Sequence, residues 1–238
     1  MALDRYQLLG AALIAFGVLV APYSYVVLLS VPLTSLGLAC VILGATLLMV
    51  PGSPMPAHQI RALIESSLVN IEAMLEEYDA EGKAVYLPPN DDHVHTFVPL
   101  MRDVDLGVFD ASRMPLRVVT EHRGVKGLLL YPPGAEAVRL SLLPEDVGAE
   151  DALSHVLVDF LEAVASVKAV EKGREVVVEL AGPRAGTEYP RVNRCLGSYP
   201  VSVAGCVLAK VYGAPVRYAG EETREGRTLG FYEVKRLG

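Results

Sequence analysis

The sequence predicts an α+β domain, mainly antiparallel sheet with about three helices, behind an N-terminal transmembrane helical hairpin. Positions 6–60 of the 238 residues contain no Asp, Glu, Lys or Arg, whereas residues 61–238 carry 20 positive and 27 negative groups. The second part alternates short apolar runs with amphipathic stretches. Because 52% of residues are apolar and only three are cysteines, the composition excludes a disordered chain and a disulfide-framed small domain.

The uncharged segment is long enough for two membrane crossings, since one crossing needs about 20 residues. We predict helices at about 6–29 and 34–50, joined by a turn at 30–35, where proline disfavours helix in the residue before it. Pro22 then lies inside the first helix as a kink. The alternative is an earlier turn at 21–25, which the tyrosines there favour because tyrosine prefers the membrane interface.

A hairpin leaves both of its ends on one side of the membrane. Arg5 and Arg61 are the nearest basic residues, and the positive-inside rule then predicts a cell-membrane protein with a cytoplasmic soluble domain. Small residues four apart, Ala11 with Ala15 and Cys40 with Gly44, are expected to let helices approach closely, within the hairpin or in an oligomer. A cleaved signal peptide ending near residue 21 is a further alternative.

Residues 51–57 are a proline-rich linker, since three prolines in six residues cannot continue a helix. The soluble domain, 58–238, begins with an amphipathic helix over 58–79, with apolar residues at steps of three and four. A second helix is predicted over 149–164. A third, buried helix starts at Ser198 as N-cap and ends at Gly213.

Short apolar runs bounded by Pro, Gly or Asp read as strands. They lie at 84–87, 96–101, 116–120 and 127–131. Two hairpins follow, one pairing 167–170 with 176–180 and one pairing 215–220 with 228–235 around a charged turn. Antiparallel strands interleaved with three helices are typical of an α+β layer fold.

Two regions of the sequence resemble known groups of proteins. The two-helix anchor followed by GKAVYLPP at 82–89 and GLLLYPPG at 127–134 is similar to uncharacterised archaeal membrane proteins. The scarcity of Gln and Asn, two and three residues, fits a thermophile. Residues 198–236 resemble the C-terminal part of vinyl-reductase-like small-molecule-binding domains, which implies ligand binding. The cysteines frequent in those domains are replaced here by Thr223 and Gly230, so metal or thiol chemistry does not follow.

No nucleotide-binding, zinc-hydrolase, nucleophile-elbow or CxxC motif occurs, so we assign no catalytic residues and no cofactor. The most metal-like group is Asp91, Asp92, His93 and His95. Residues two apart on a strand share a face, so both histidines could hold one ion with an aspartate. The competing interpretation is a solvated turn.

Arg184, Arg191 and Arg194 lie in a long connection that ends at Ser198, the start of the buried helix. Guanidinium groups and free helix amides suit an anion, which makes these four residues a candidate anion- or ligand-binding site. The competing interpretation is a flexible loop whose arginines balance nearby acids. Cys195 is the one candidate reactive thiol, with no defined base partner.

The net charge of −7 lacks the positive footprint that nucleic-acid binding requires. The sequence therefore predicts a membrane-anchored, non-catalytic protein that binds a ligand or a protein partner. We expect the hairpin to contact the lipid bilayer. One alternative is a structural subunit of a membrane assembly or homo-oligomer. The other is an enzyme on a membrane-adjacent substrate, which a cleft combining histidine, arginine and carboxylate would favour.

Overall fold

A computed structural model describes residues 5–49, 57–101, 106, 117–122, 124–144, 146–183 and 189–235. The side chains of 5–7 and 57–66 lie outside this description, as do residues 50–56, which contain most of the predicted linker. The chain divides into two compact units, Met1–Ile60 and Arg61–Gly238. This division agrees with the charge boundary of the sequence, and each unit is described by itself.

The first unit is a helical hairpin, as predicted. Helix α1 spans Arg5–Val26 and α2 spans Val31–Met49. Pro22 lies inside α1, so the alternative turn at 21–25 is wrong. Pro32 belongs to the first turn of α2, where its missing N–H costs no hydrogen bond, and the turn therefore falls at 27–30 and not at 30–35.

The two helices pack through small residues spaced seven apart. Gly10, Gly17 and Ser24 are buried in α1, and Gly37 and Gly44 are buried in α2. We call the four glycines the glycine interface. A Cβ at Gly17 would lie 2.5 Å from the carbonyl oxygen of Gly37, and one at Gly44 would lie 2.7 Å from that of Gly10. Only glycine allows this approach.

The expected small-residue pairs were therefore mostly wrong. Gly44 is in the interface, but Ala11 and Ala15 face outward and Cys40 is half-buried. The outer surface of the hairpin is apolar on every side, and Leu19, for example, is 73% exposed. At about 1.5 Å per residue, 19 residues reach about 28 Å, so both helices are long and apolar enough to span a membrane.

The second unit is built on an antiparallel sheet of eight strands in the order β3-β4-β2-β1-β7-β8-β6-β5. The strands are β1 (Val85–Tyr86), β2 (Thr96–Pro99), β3 (Val119–His122), β4 (Val125–Leu130), β5 (Ser166–Lys172), β6 (Glu175–Ala181), β7 (Val216–Arg224) and β8 (Arg227–Val234). A bulge between Tyr218 and Gly220 shifts the register of β7 against β8. The predicted α+β class is confirmed.

Helices cover one face of this sheet. They are α3 (Ala57–Glu77), α4 (Ala135–Leu140), α5 (Ala149–Ser154), α6 (Pro190–Cys195) and α7 (Tyr199–Tyr212). Helix α5 continues into a π-helical turn, His155–Phe160, in which the N–H of Leu161 donates to the carbonyl of Val156. We call residues 155–160 the π-turn. It replaces the second half of the predicted helix at 149–164.

Helix α7 is the centre of the core. Eleven of its residues, Tyr199 through Ala209, are buried, so the apolar segment Pro190–Tyr212, although long enough to cross a membrane, is 78% buried within the domain. Ser198 is its N-cap, and Gly213 ends it with a left-handed φ of 57°, both as predicted. Val85, Leu87, Phe97 and Leu129 form a smaller cluster on the other sheet face.

Candidate functional site

The predicted anion site is only partly described. Arg184 lies outside the described residues, whereas Arg191 and Arg194 lie on α6, a short helix that the sequence analysis missed. The guanidinium of Arg191 donates to Asp79 Oδ1 at 2.9 Å, which raises the pKa of the arginine. Arg194 contributes its carbonyl, which accepts from Lys83 Nζ at 2.7 Å. These contacts are structural.

Carboxylates of the chain itself occupy both helix starts in this region. Glu221 Oε2 accepts from the backbone N–H of Ser198 at 3.0 Å and from its hydroxyl at 2.7 Å. Glu72 accepts from the backbone N–H groups of Arg191 and Val192 at 3.0 and 2.8 Å. The backbone N–H groups at a helix start have no partner within the helix, so a carboxylate that accepts their hydrogen bonds is favourable there. An external anion at Ser198 stays a prediction, and it would have to compete with Glu221.

Cys195, the candidate reactive thiol, is buried. Its sulfur donates to the carbonyl of Ala80 at 3.5 Å. Burial raises the pKa of this thiol to about 11, although the nearby Lys83, Arg194 and Arg191 act in the opposite direction. His155, one of several possible base partners for this thiol in the sequence, has its Nε2 3.0 Å from the carbonyl oxygen of Ser141. The described contacts therefore do not activate Cys195.

We expect Cys195 of the folded chain to resist alkylation at pH 8 and to react normally after unfolding. The raised pKa keeps the buried thiol protonated. The burial of this neutral thiol therefore stabilises the fold fully below pH 9, and this stabilisation is lost as the pH rises toward 11. Peptide mass spectrometry after iodoacetamide treatment, with and without urea, measures both states. Rapid labelling of the folded chain at pH 8 would restore the reactive-thiol hypothesis.

The predicted metal-like residues form a tight turn between β1 and β2. Asn90 and His93 exchange two backbone hydrogen bonds of 3.0 Å, and Asp91 and Asp92 between them have φ values of 49° and 64°. Two positive φ values define a type I′ turn, for which Asn and Gly are the usual residues. Both aspartates are exposed. No group of three or more His, Cys, Asp or Glu side chains in the described part of the chain is arranged to hold a metal.

Three residues that the sequence analysis missed join the two histidines. His93, His95, Tyr131, Glu136 and Arg139 form what we call the histidine–tyrosine cluster. The rings of His93 and His95 each meet the ring of Tyr131 edge-on, with centroids 5.9 Å apart. The Tyr131 hydroxyl donates to Glu136 Oε2 at 2.8 Å, and Arg139 forms a two-point ion pair with the same carboxylate.

Sheet topology brings these residues together. Strands β1 and β4 both pair antiparallel with β2, so they run in the same direction and end at the same edge of the sheet. The proline pairs 88–89 and 132–133 follow these two strands. The repeated Tyr-x-Pro-Pro and Tyr-Pro-Pro pattern was therefore a usable signal that the histidine turn and Tyr131 are neighbours. Helix α4, with Glu136 and Arg139 three residues apart, completes the cluster.

Hydrogen bonds and partial burial shift the pKa values of residues in the cluster. The Tyr131 hydroxyl donates its single proton to Glu136, so its 3.3 Å contact with His93 is a hydrogen bond only when Nδ1 of that ring carries a proton. Partial burial and the bond to Glu136 raise the pKa of Tyr131 to about 12. Hydrogen bonds from Arg139 and Tyr131 lower the pKa of Glu136 to about 2. Partial burial also lowers the pKa of His95.

At neutral pH the cluster thus presents a protonated phenol, an ionised carboxylate already paired with arginine, and a neutral His95. Tyr131 is 43% exposed, and the other four residues are half-buried. Neither Tyr131 nor Glu136 is poised to exchange a proton near pH 7, because each pKa lies far from neutrality. The cluster offers a ligand or partner an aromatic surface with fixed hydrogen-bond donors and acceptors, which suits recognition.

The space between α7 and the sheet is filled by three tyrosines. Tyr86, Tyr218 and Tyr232 are each at most 1% exposed. The Tyr86 hydroxyl donates to the carbonyl of Leu196 at 2.7 Å, and that of Tyr232 donates to the carbonyl of Val201 at 2.7 Å. These rings and hydrogen bonds occupy the region bordered by α7, where a deep pocket would have favoured ligand binding.

The fold and site define a two-unit chain: a helical hairpin of membrane-spanning length, then an α+β domain with a histidine–tyrosine cluster at one sheet edge. A family model described as a domain of unknown function, DUF7982, matches residues 5–230. The chain therefore belongs to the DUF7982 family. No curated protein and no solved structure matches it.

Proposed function

We propose that this chain is a membrane-anchored binding protein whose α+β domain recognises a ligand or protein partner and does not catalyse a reaction on it. The apolar hairpin holds the chain in the cell membrane. Since a two-helix hairpin returns the chain to the side from which it entered, the N-terminus and the domain lie on one side, and the basic residues that flank the hairpin favour the cytoplasm.

The observation that carries the binding function is the histidine–tyrosine cluster. Convergence of histidine, arginine and carboxylate alone would favour an enzyme. Here, however, Glu136 is paired with Arg139 and accepts a hydrogen bond from the Tyr131 hydroxyl, so the carboxylate that an enzyme would use as a base is already committed. A partly exposed tyrosine held between fixed polar groups is typical of a recognition surface.

The resemblance of residues 198–236 to small-molecule-binding domains remains a hypothesis of ligand binding. Because Tyr86, Tyr218 and Tyr232 fill the space beside α7, we place the binding surface at the cluster and not between α7 and the sheet. The alternative function, a structural subunit of a membrane assembly, would use the same helical hairpin as its membrane anchor.

We test the proposal with Tyr131→Ala in the full-length chain. Truncation of a central interface tyrosine typically costs about 2 kcal/mol, so we expect recovery of a specific crosslinked partner or co-purifying ligand to fall at least tenfold. The measurement is quantitative mass spectrometry after crosslinking in cells and purification in mild detergent. The matched control is Tyr212→Ala, since Tyr212 also donates to a glutamate, Glu171, at 2.7 Å.

Circular dichroism verifies that both variants keep the fold. A partner or ligand that is lost with Tyr131→Ala and retained with Tyr212→Ala supports the proposal. Equal recovery from the wild type and both variants would show that binding does not use the cluster.

A further inference from the structure

Two leucines at the end of α4 are exposed to solvent, and the second of them has a strained backbone. Leu140 is 52% exposed and Leu142 is 82% exposed, while Leu142 has a φ of 48°. The left-handed conformation costs a residue with a side chain about 1–2 kcal/mol. Exposure is unfavourable for both leucines and backbone strain is unfavourable for Leu142, and no contact among the described residues of this domain accounts for either.

Ser141, between the two leucines, is firmly anchored. It is 6% exposed, its backbone N–H donates to the carbonyl of Ala137 at 2.9 Å, and its hydroxyl donates to that of Val138 at 3.0 Å. Its own carbonyl lies 3.0 Å from Nε2 of His155 in the π-turn. The leucines therefore occupy defined positions on a rigid support.

The π-turn adds an aromatic side chain to this area. Phe160 is 45% exposed and belongs to the π-turn that begins with His155, the residue whose ring reaches Ser141. π-helical turns are rare and occur frequently at functional sites. We call Leu140, Leu142 and Phe160 the leucine surface.

The segment that follows Arg139, a residue already paired with Glu136, is acidic. The sequence from Leu140 to Val167 contains no lysine or arginine and six acidic residues. Of these, Asp146, Asp151 and Asp159 are exposed. An apolar patch with an acidic border is complementary to an apolar segment with basic flanks. It is not complementary to an anionic bilayer or to the same acidic surface of a second copy.

We propose that the leucine surface is a docking site for a protein partner that presents a basic amphipathic helix, with leucine-type side chains on one face and lysine or arginine around them. The helix would cover Leu140, Leu142 and Phe160, and its cations would face the acidic border. The leucine surface is separate from the histidine–tyrosine cluster, so it adds a second binding site to the proposed function and names the chemistry of the partner that this second site would take.

The test uses the full-length chain in phosphatidylcholine nanodiscs, at one copy per disc, and a fluorescent 18-residue helix of leucine and lysine. We expect saturable binding by fluorescence anisotropy that weakens with salt and exceeds binding of the matched leucine–glutamate helix. Leu142→Asn should weaken binding about tenfold, because a large apolar contact is lost. Empty discs give the background.

Leu142→Asn is informative because asparagine tolerates the left-handed conformation better than leucine does. We therefore expect its thermal stability to equal or exceed that of the wild type while its peptide affinity falls. Val170→Ser is the control, since Val170 is a similarly exposed apolar residue, at 52%, on strand β5. It should bind the peptide like the wild type.

Three results would overturn the inference. Equal affinity of the wild type and Leu142→Asn would show that the peptide adheres through charge alone. Equal binding of the lysine and glutamate helices would remove the argument from the acidic border. Crosslinking between chains in different discs that depends on Leu142 would make the surface a contact between two copies.

Discussion

Gly205→Ala is expected to destabilise the α+β domain by about 3 kcal/mol, although alanine is the better helix former. A Cβ at position 205 would lie 2.5 Å from Cδ2 and 2.8 Å from Cζ of the Tyr86 ring. Overpacking of this kind costs about 1–3 kcal/mol or more, whereas the gain in helix propensity is about 1 kcal/mol. The steric term dominates because the ring cannot withdraw.

The Tyr86 ring is held from its far end. Its hydroxyl donates to the carbonyl of Leu196 at 2.7 Å and lies 3.0 Å from Ser202 Oγ. Moving the ring away from position 205 would therefore break buried hydrogen bonds, and a buried polar group without a partner costs about 1–3 kcal/mol. The steric clash and the loss of hydrogen bonds therefore both destabilise the Gly205→Ala variant.

Urea unfolding of the full-length chain in mild detergent, followed by the tyrosine signal in near-ultraviolet circular dichroism, measures the effect. Gly220→Ala is the control, because a Cβ at position 220 meets nothing within 4 Å, and it should change stability by less than about 0.5 kcal/mol. A Gly205→Ala variant as stable as the wild type would show that α7 does not depend on this close contact.

Local sequence patterns were sufficient to predict the helices and strands that have long periodic stretches. Helix α7, with its Ser198 cap and Gly213 terminator, and the strand pairs β5–β6 and β7–β8 are predicted within a few residues. Helices α4 and α6 were missed because six residues are too few to display helical periodicity. The π-turn was predicted as ordinary helix, since side-chain spacing does not reveal a change of backbone hydrogen bonding.

The candidate site was harder to predict because its contacts are distant in sequence. The carboxylates that occupy the helix starts come from Glu72, 119 residues before Arg191, and Glu221, 23 residues after Ser198. The sequence indicated that the start of α7 favours an anion, but not that the chain supplies the anion, and it did not predict α6 at all. His93 was singled out, whereas Tyr131, 38 residues away, becomes its neighbour only through the order of β1, β2 and β4.

Gly17→Leu is expected to disrupt the hairpin, whereas Ala15→Leu, two residues away, should leave it intact. A side chain at position 17 would enter the backbone of α2, because even a Cβ there lies 2.5 Å from the oxygen of Gly37 and 2.7 Å from Cγ2 of Val41. Ala15 faces outward. Both variants add the same apolar side chain to α1, so they differ in helix packing and not in hydrophobicity.

In a membrane, lipid chains are as apolar as leucine, so close packing is a principal force between two helices. Loss of the glycine contact should cost the hairpin about 2 kcal/mol. The measurement is the fraction of dodecyl sulfate in mixed micelles at which the full-length chain loses its native structure. We expect this midpoint to fall for Gly17→Leu and to stay at the wild-type value for Ala15→Leu.

The same variants test the anchor. If the hairpin spans the bilayer, both chains should stay in the membrane pellet after alkaline carbonate extraction, because insertion depends on apolar length and not on helix packing. Release of the wild type into the aqueous fraction would contradict the membrane assignment. Equal midpoints for the two variants would contradict only the glycine interface. The two measurements therefore separate where the chain resides from how its first two helices pack.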